Sequence, residues 1–68
     1  MSTEKSAWPE VVSWPVTAAV TRINSDRPDV AIEVISVGTP EGPGPFNSKR
    51  VRVFFDENGH VAAVPVVG

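Results

Sequence analysis

The chain has 68 residues, of which 41% are hydrophobic, a formal net charge of −2 and no cysteine. A chain of this length builds one small core, and without cysteine neither disulfides nor thiolate metal sites can reinforce it. Its ordinary apolar content argues against disorder, and its slight negative charge argues against nucleic-acid binding. The first seven residues lack the apolar run of a membrane or signal segment. We expect a flexible tail over residues 1–7, one domain over residues 8–68 and no membrane partner; the compartment stays open.

The ordered part is expected to open at Trp8. Pro9 restricts the preceding residue, so we expect Trp8 to be extended and any helix to be broken there.

Residues 16–26 carry the spacing of an amphipathic helix. Apolar side chains recur at the i, i+3, i+4, i+7 positions, which are Val16, Ala19, Val20 and Ile23. Pro15 suits the first helical turn, Ser13 is a plausible upstream cap, and Pro28 lies just past the end. The sequence therefore predicts one helix, which depends on packing because it is rich in β-branched residues.

Three strands are expected in the second half of the chain. Residues 30–35 are nearly all apolar, which is typical of a strand covered on both faces, and residues 50–55 alternate charged and apolar side chains before ending apolar. Residues 56–59 end in the Asn-Gly pair of a primed hairpin turn. A third strand is predicted over residues 60–64, ending at Pro65.

A long Gly/Pro loop separates the first two predicted strands. It spans residues 37–49, long enough to return the chain so that the two strands lie parallel, while the helix covers one sheet face. Loops of this length are usually functional or disordered, and a plain surface linker is the alternative. We therefore expect the loop to be the functional part of the molecule.

Six short segments, in this order and at these spacings, resemble the potato inhibitor I family of serine-protease inhibitors. They are WPEVV at 8–12, AA at 18–19, DRPD at 26–29, VGT at 37–39, RVRVF at 50–54 and VPVVG at 64–68. The resemblance implies an α+β wedge: one helix packed on a small mixed sheet, with an exposed protease-binding loop and Trp8 in the core. It also implies a monomer without cofactor or catalytic activity, whose partners are subtilisin-like or chymotrypsin-like serine proteases.

The resemblance carries over to particular residues. The protease-binding loop would comprise Gly38, Thr39, Pro40, Glu41, Gly42, Pro43, Gly44, Pro45, Phe46 and Asn47. Arg50 and Arg52, which alternation places on one face of their strand, match the family's two loop-supporting arginines, and the terminal carboxylate of Gly68 would help position them.

The centre of the loop departs from the family pattern. Counting back from Arg50 places the primary contact residue at Gly44, whereas counting forward from Gly38 places it at Pro43, so the loop carries one inserted residue. Neither is a large apolar or basic residue, which favours an elastase-like or subtilisin-like target over trypsin. The alternative is a non-inhibitory scaffold or binding module that retains the fold with an altered loop.

Several side chains allow two interpretations. Glu41, taken as the only acid in reach of the arginines, could pair with them, or the arginines could be solvated. Phe46 could contact the protease or fold back against the base of the loop. Trp14 could be an interaction anchor or cover the start of the helix.

No enzyme signature is present. His60 has no His, Cys or clustered carboxylate at ligand spacing and is expected to be a solvated side chain beside the turn. Ser36 and Ser48 have no base nearby in the sequence, and a chain of this size offers no deep pocket that excludes water. We therefore expect neither catalysis nor a bound metal.

Overall fold

A computed structural model describes residues 5–39 and 45–68. Its elements are a 3₁₀-helix (Pro9–Val11), the helix α1 (Val16–Asp26) and the strands β1 (Ala31–Ser36), β2 (Arg50–Phe55) and β3 (Val66–Val67). The sheet has the order β1-β2-β3, with β1 and β2 parallel and β2 and β3 antiparallel. The predicted α+β architecture, one helix on a small mixed sheet, is confirmed.

The helix α1 has the predicted bounds and buries Ala19 and Ile23. Its start is not capped as expected, because Ser13 makes no capping hydrogen bond and has a φ of +78°. Instead, the main-chain oxygen of Gly59 accepts a hydrogen bond from the Val16 amide at 2.9 Å. The turn after β2 thus satisfies a helix amide that would otherwise lack a partner.

The expectation that residues 30–35 are covered on both faces is wrong. The strand begins one residue later than predicted and most of it is exposed, including 46% of Val34. The reason is its place in the sheet: within residues 5–39 and 45–68, β1 is an outer strand that pairs with β2 along one side, which leaves its other side open. In the β1–β2 register Val34 lies opposite the buried Val53, so the core is concentrated on the central strand.

The predicted third strand over residues 60–64 does not form. His60 bridges to Pro15 while Val61 bridges to Phe55, so two consecutive residues pair with two different segments and no continuous ladder results. The third strand lies after Pro65 instead, at Val66–Val67. His60 itself is exposed, as expected.

The turn at residues 56–59 is not of the primed type. Gly59 has a φ of +79°, but Asn58 does not have the positive φ that a primed turn needs there. The Asp56 carboxylate organises the turn by accepting hydrogen bonds from the amides of Asn58 (2.9 Å) and His60 (3.0 Å). These bonds lower the pKa of Asp56, with the largest contribution from the His60 amide.

The segment at Pro9 is helical rather than broken. Proline occupies the first position of the short 3₁₀-helix, where its missing N–H costs nothing. Trp8, immediately before it, is 0% exposed, and its indole Nε1 donates to Asp26 Oδ2 at 3.0 Å. The placement of Trp8 in the core is confirmed. The remaining buried apolar residues around it are Val11, Ala19, Ile23, Val30, Val51, Val53 and Val61.

Candidate functional site

The described part of the chain contains half of the predicted loop. Gly38 and Thr39 are described at its start, and Pro45, Phe46 and Asn47 at its end. Five predicted loop residues lie outside the described residues: Pro40, Glu41, Gly42, Pro43 and Gly44. Both candidates for the primary contact residue, and the pairing of Glu41 with the arginines, are among these.

The start of the loop is fixed by main-chain bonds to the sheet. The Val37 amide donates to the Phe55 oxygen at 2.8 Å, and the Thr39 amide donates to the Ser36 oxygen at 3.1 Å. Gly38 has a φ of +94°, a region that glycine enters without a steric penalty. The chain therefore leaves β1 through a tight turn.

The end of the loop is a second turn, organised by Asn47. Its side-chain Oδ1 accepts from the Lys49 amide at 2.9 Å, and its main-chain oxygen accepts from the Arg50 amide at 3.2 Å. Such Asx turns hold a chain in place without a disulfide. The Lys49 oxygen in turn accepts from the Ala31 amide at 2.7 Å, which joins this turn to β1.

Arg50 ties the end of the loop to the end of the chain. Its Nη2 donates to the Pro45 oxygen at 2.9 Å and to the Gly68 oxygen at 2.6 Å, and its Nε donates to Gly68 at 3.0 Å. The Asn47 amide donates to the same Gly68 oxygen at 3.2 Å. The planar guanidinium suits this arrangement because its donors point in several fixed directions.

Arg52 lies on the same strand, two residues further on, and its Nε is 3.5 Å from Glu33 Oε1. The expectation that Glu41 is the only acid in reach of the arginines is therefore wrong. Glu33 and Arg52 are direct partners in the parallel β1–β2 register. The parallel pairing of the two strands was predicted from the sequence. Because the register of that pairing was not known, the sequence could not show that these two residues lie side by side.

Phe46 shows features of both interpretations. Its side chain is 73% exposed, so most of the ring faces solvent. One edge lies beside Gly68, since a Cβ placed on that glycine would be 3.7 Å from Phe46 Cδ1. Phe46 therefore touches the base of the loop without being buried in it.

A charged cluster at the end of the loop was missed by the sequence reasoning. Arg27 is only 7% exposed, and its Nε and Nη2 each donate to the Asp29 carboxylate at 2.9 Å. Its Nη1 donates to the Lys5 oxygen at 2.9 Å, and Lys49 Nζ donates to Asp29 at 2.7 Å. These bonds, above all those from Arg27, hold the pKa of Asp29 well below its usual range.

Trp14 is 36% exposed and lies just before α1. Its main chain is well fixed, because its amide donates to Val11 and its oxygen accepts from Val61, both at 2.9 Å. Its side chain is therefore partly covered and partly open to solvent.

Residues 5–39 and 45–68 contain no group of three or more His, Asp or Glu residues placed to hold a metal ion. Within the same residues, α1 falls short of the length and apolar character that a membrane-crossing helix needs.

Comparison with known proteins gives consistent results. The chain is 34% identical to a chymotrypsin inhibitor of Lumbricus terrestris over all of this chain and 78% of that protein. It is 36% identical to subtilisin inhibitor 1 of Phaseolus angularis, over 94% of this chain and 68% of that protein. It is also 36% identical to a Glu S. griseus protease inhibitor of Momordica charantia, with coverages of 94% and 93%.

A solved structure agrees with the sequence relatives. The bitter gourd trypsin inhibitor superimposes with a TM-score of 0.86 at 38% identity, covering 94% of this chain and 93% of that one. The fold described above is therefore the fold of that inhibitor. The family model of the potato inhibitor I family matches residues 1–68. With its whole length matched and its relatives above 30% identity, the chain belongs to the potato inhibitor I family.

Proposed function

We propose that this chain inhibits serine endopeptidases by presenting residues 38–47 to the protease cleft, with Arg50, Arg52 and Gly68 as the supports of that loop. The relatives are named as inhibitors, which supports inhibition over catalysis and does not favour the alternative of a non-inhibitory scaffold. The protein acts as a monomer that binds one protease.

The proposal that Arg50 supports the loop is based on its hydrogen bonds to both Pro45 and Gly68. An inhibitory loop must bind like a substrate and yet stay in place, and its affinity rises when its conformational entropy has been lost before binding. The Arg50 guanidinium supplies this restraint through hydrogen bonds that involve a charged donor, which are stronger than neutral ones. The chain has no cysteine, so no disulfide can share the task.

The loop sequence narrows the target class. Residues 38–47 contain neither Lys nor Arg, so the loop cannot neutralise the aspartate at the base of a trypsin pocket. Subtilisin-like, chymotrypsin-like and elastase-like enzymes have pockets that take apolar or small side chains. We therefore expect inhibition of these enzymes and little of trypsin.

The test is an activity titration of subtilisin, chymotrypsin, elastase and trypsin with the intact protein, followed by mass analysis of the inhibitor. Stoichiometric inhibition of at least one of the first three, with most of the chain intact, is the expected result. If all four enzymes stay active and the chain stays intact, the fold serves another task. Rapid cutting within the loop without inhibition would show an ordinary flexible substrate.

A further inference from the structure

The connection between α1 and β1 carries two charged residues, Arg27 and Asp29, beside the end of the protease-binding loop. We propose that Asp29 is a positioning residue for that loop, which it restrains through Lys49. This inference rests on the proposed inhibitory function and deepens it by adding a support on the β1 side of the loop end. The support through Gly68 lies on the other side of β2, after β3.

Arg27 fixes the orientation of the Asp29 carboxylate. Its Nε donates to Oδ1 and its Nη2 donates to Oδ2, both at 2.9 Å, so each carboxylate oxygen has its own donor. A bidentate pair of this kind is stronger and more strictly oriented than a single contact. Arg27 is itself only 7% exposed, so the packing around it restricts its side chain. Asp29 is thus held in a fixed orientation for a further partner.

Lys49 is that partner, and three of its own groups are bonded. Its Nζ donates to Asp29 Oδ2 at 2.7 Å, its oxygen accepts from the Ala31 amide at 2.7 Å, and its amide donates to Asn47 Oδ1 at 2.9 Å. Lys49 directly precedes Arg50, whose guanidinium holds the end of the loop. A restraint on Lys49 therefore restrains the backbone from which Arg50 reaches the loop.

The strand β2 starts between two neighbouring strands, and each side supplies a restraint at that start. Asp29 lies two residues before β1 and pairs with Lys49, whereas Gly68 directly follows β3 and binds Arg50. One restraint alone would leave the start of β2 free to turn about it. Two restraints from opposite sides fix both its position and its orientation.

Arg27 also contributes to the restraint on the β3 side. Its Nη1 donates to the Lys5 oxygen at 2.9 Å, and the oxygen of the next residue, Ser6, accepts from the Val67 amide at 2.9 Å. Val67 directly precedes Gly68 in the chain. Replacing Arg27 would therefore disturb both sides of the loop end together with a buried ion pair, which makes it unsuitable as a test of one side.

The exposure of the Lys49–Asp29 pair separates its role in the loop from the stability of the fold. The side chain of Lys49 is 64% exposed and that of Asp29 is 41% exposed, and neither residue belongs to the hydrophobic core. Exposed ion pairs contribute little to the free energy of unfolding. This pair acts on the conformation of the segment that is presented to the protease, where affinity depends on entropy lost before binding.

The experiment measures inhibition constants for the wild type, Lys49→Met, Lys49→Arg, Asp29→Asn and the double variant Asp29→Asn/Lys49→Met, against the protease that the wild type inhibits most strongly. Lys49→Met keeps the unbranched stem without the charge and should weaken inhibition about two- to fivefold, the range of a partly exposed ion pair. Lys49→Arg keeps the charge and should restore inhibition to the level of the wild type. The double variant should inhibit as well as Asp29→Asn alone, because the partner charge is already gone.

Arg22→Met is the matched control, because Arg22 also forms an exposed ion pair, with Asp26 within α1. Both methionine variants should lower the melting temperature by a similar small amount, and only Lys49→Met should weaken inhibition. A direct contact of Lys49 with the protease would weaken inhibition equally with and without Asp29→Asn. That result, or an unchanged inhibition constant for Lys49→Met, overturns the positioning role while the inhibitory function stands.

Amide hydrogen exchange tests the restraint without a protease. The Ala31 amide donates to the Lys49 oxygen and the Arg50 amide donates to the Asn47 oxygen, so both report on the end of the loop. Both should exchange about two- to fivefold faster in Lys49→Met than in the wild type. The double variant should show no further increase over Asp29→Asn.

The Val53 amide, in the core part of β2, should change no more in Lys49→Met than in Arg22→Met. If the wild type inhibits none of the four proteases while the two amides at the loop end respond as expected, the inhibitory function fails and the restraint by Asp29 stands. Unchanged exchange at both amides overturns the positioning role, whether or not the wild type inhibits.

Discussion

Arg50 and Gly68 hold each other through both main chain and side chain. The Gly68 amide donates to the Arg50 oxygen at 2.8 Å, while Arg50 Nε and Nη2 donate to the Gly68 oxygen at 3.0 and 2.6 Å. The same guanidinium reaches Pro45, so the first residue of β2 fixes the end of the loop and the end of the chain together. Arg50 is not among the residues of the hydrophobic core, so its bonds to the loop can be removed without removing a core side chain.

Arg50→Ala should therefore weaken protease inhibition much more than it lowers the melting temperature. Arg50→Ala removes three hydrogen bonds from a charged donor, and a net loss of about 1.4–3 kcal/mol would correspond to a roughly 10- to 100-fold weaker inhibition constant, at about tenfold per 1.4 kcal/mol. Inhibition titration and thermal unfolding measure the two effects. Arg50→Lys should recover only part of the loss, because a single ammonium lacks the planar fork.

Arg22→Ala is the matched control, since Arg22 is an exposed arginine of α1 paired with Asp26. Its inhibition should equal that of the wild type. The double variant with Arg50→Ala and Arg52→Ala should inhibit less well than Arg50→Ala alone. Equal, small effects of Arg50→Ala and Arg22→Ala would show that Arg50 does not support the loop.

The backbone at Phe46 and Asn47 should be as rigid as a strand. The Asn47 amide donates to Gly68, and the Pro45 oxygen, on the other side of Phe46, accepts from Arg50. We therefore expect amide order parameters near 0.85, the value for rigid backbone, from nitrogen-15 relaxation. In Arg50→Ala these values should fall, while those of Val51 and Val53 stay unchanged. Order parameters below about 0.6 in the wild type would contradict a preorganised loop and would favour the scaffold alternative.

Ser13→Gly should stabilise the protein. Ser13 has a φ of +78°, a left-handed conformation that costs a non-glycine residue about 1–2 kcal/mol. The greater freedom of glycine in the unfolded chain offsets part of this, which leaves a gain of about 0.5–1 kcal/mol in the free energy of unfolding. Ser13→Ala retains the strain and should give no such gain in denaturant unfolding; an equal gain from both would point to the side chain instead.

Stability should fall in acid, in part because of Asp29. Hydrogen bonds from Arg27 and then Lys49 hold the pKa of Asp29 below its unfolded value of about 3.9, so the folded state releases this proton more readily. Its stabilising contribution is complete above that unfolded pKa and is lost as the pH falls towards the lower folded pKa. The melting temperature of the wild type should therefore change little from pH 7 to 5 and fall from about pH 5 to 2.

Asp29→Asn should reduce this acid-induced fall, although some should remain because the pKa values of Glu10, Asp26 and Asp56 are also lowered. Melting curves between pH 2 and 7 measure the difference. Because Asp29 is partly exposed, the difference should shrink in concentrated salt. Parallel curves for the variant and the wild type would show that Asp29 does not contribute.

The elements that followed from local periodicity were predicted well from the sequence. The helix α1 was found with its bounds because four apolar residues repeat at helical spacing, and β2 was found because charged and apolar residues alternate. The parallel pairing of β1 with β2 followed from the long loop between them. The roles of Arg50 and Gly68 came from the resemblance, and the structure adds the bonds that join them.

The features that the sequence did not predict depend on the register of the strands and on which of several segments a residue pairs with. His60 and Val61 pair with different segments, a choice that no local pattern contains. The Asp56 carboxylate determines the turn in place of the Asn-Gly pair, and Glu33 meets Arg52 only because the strands align in one particular register. The burial of Arg27 likewise depends on the distant Lys5 main chain.

The parallel pairing of β1 and β2 has a consequence for a nicked molecule. The core draws on both sides of the loop, with Trp8 and Ile23 before it and Val51 and Val53 after it. A break in the loop therefore leaves two fragments that share one core, and their association changes from an intramolecular event to a bimolecular one. The nicked protein should dissociate on dilution and melt at a temperature that rises with its concentration, whereas the intact chain, which we propose to be a monomer, should not.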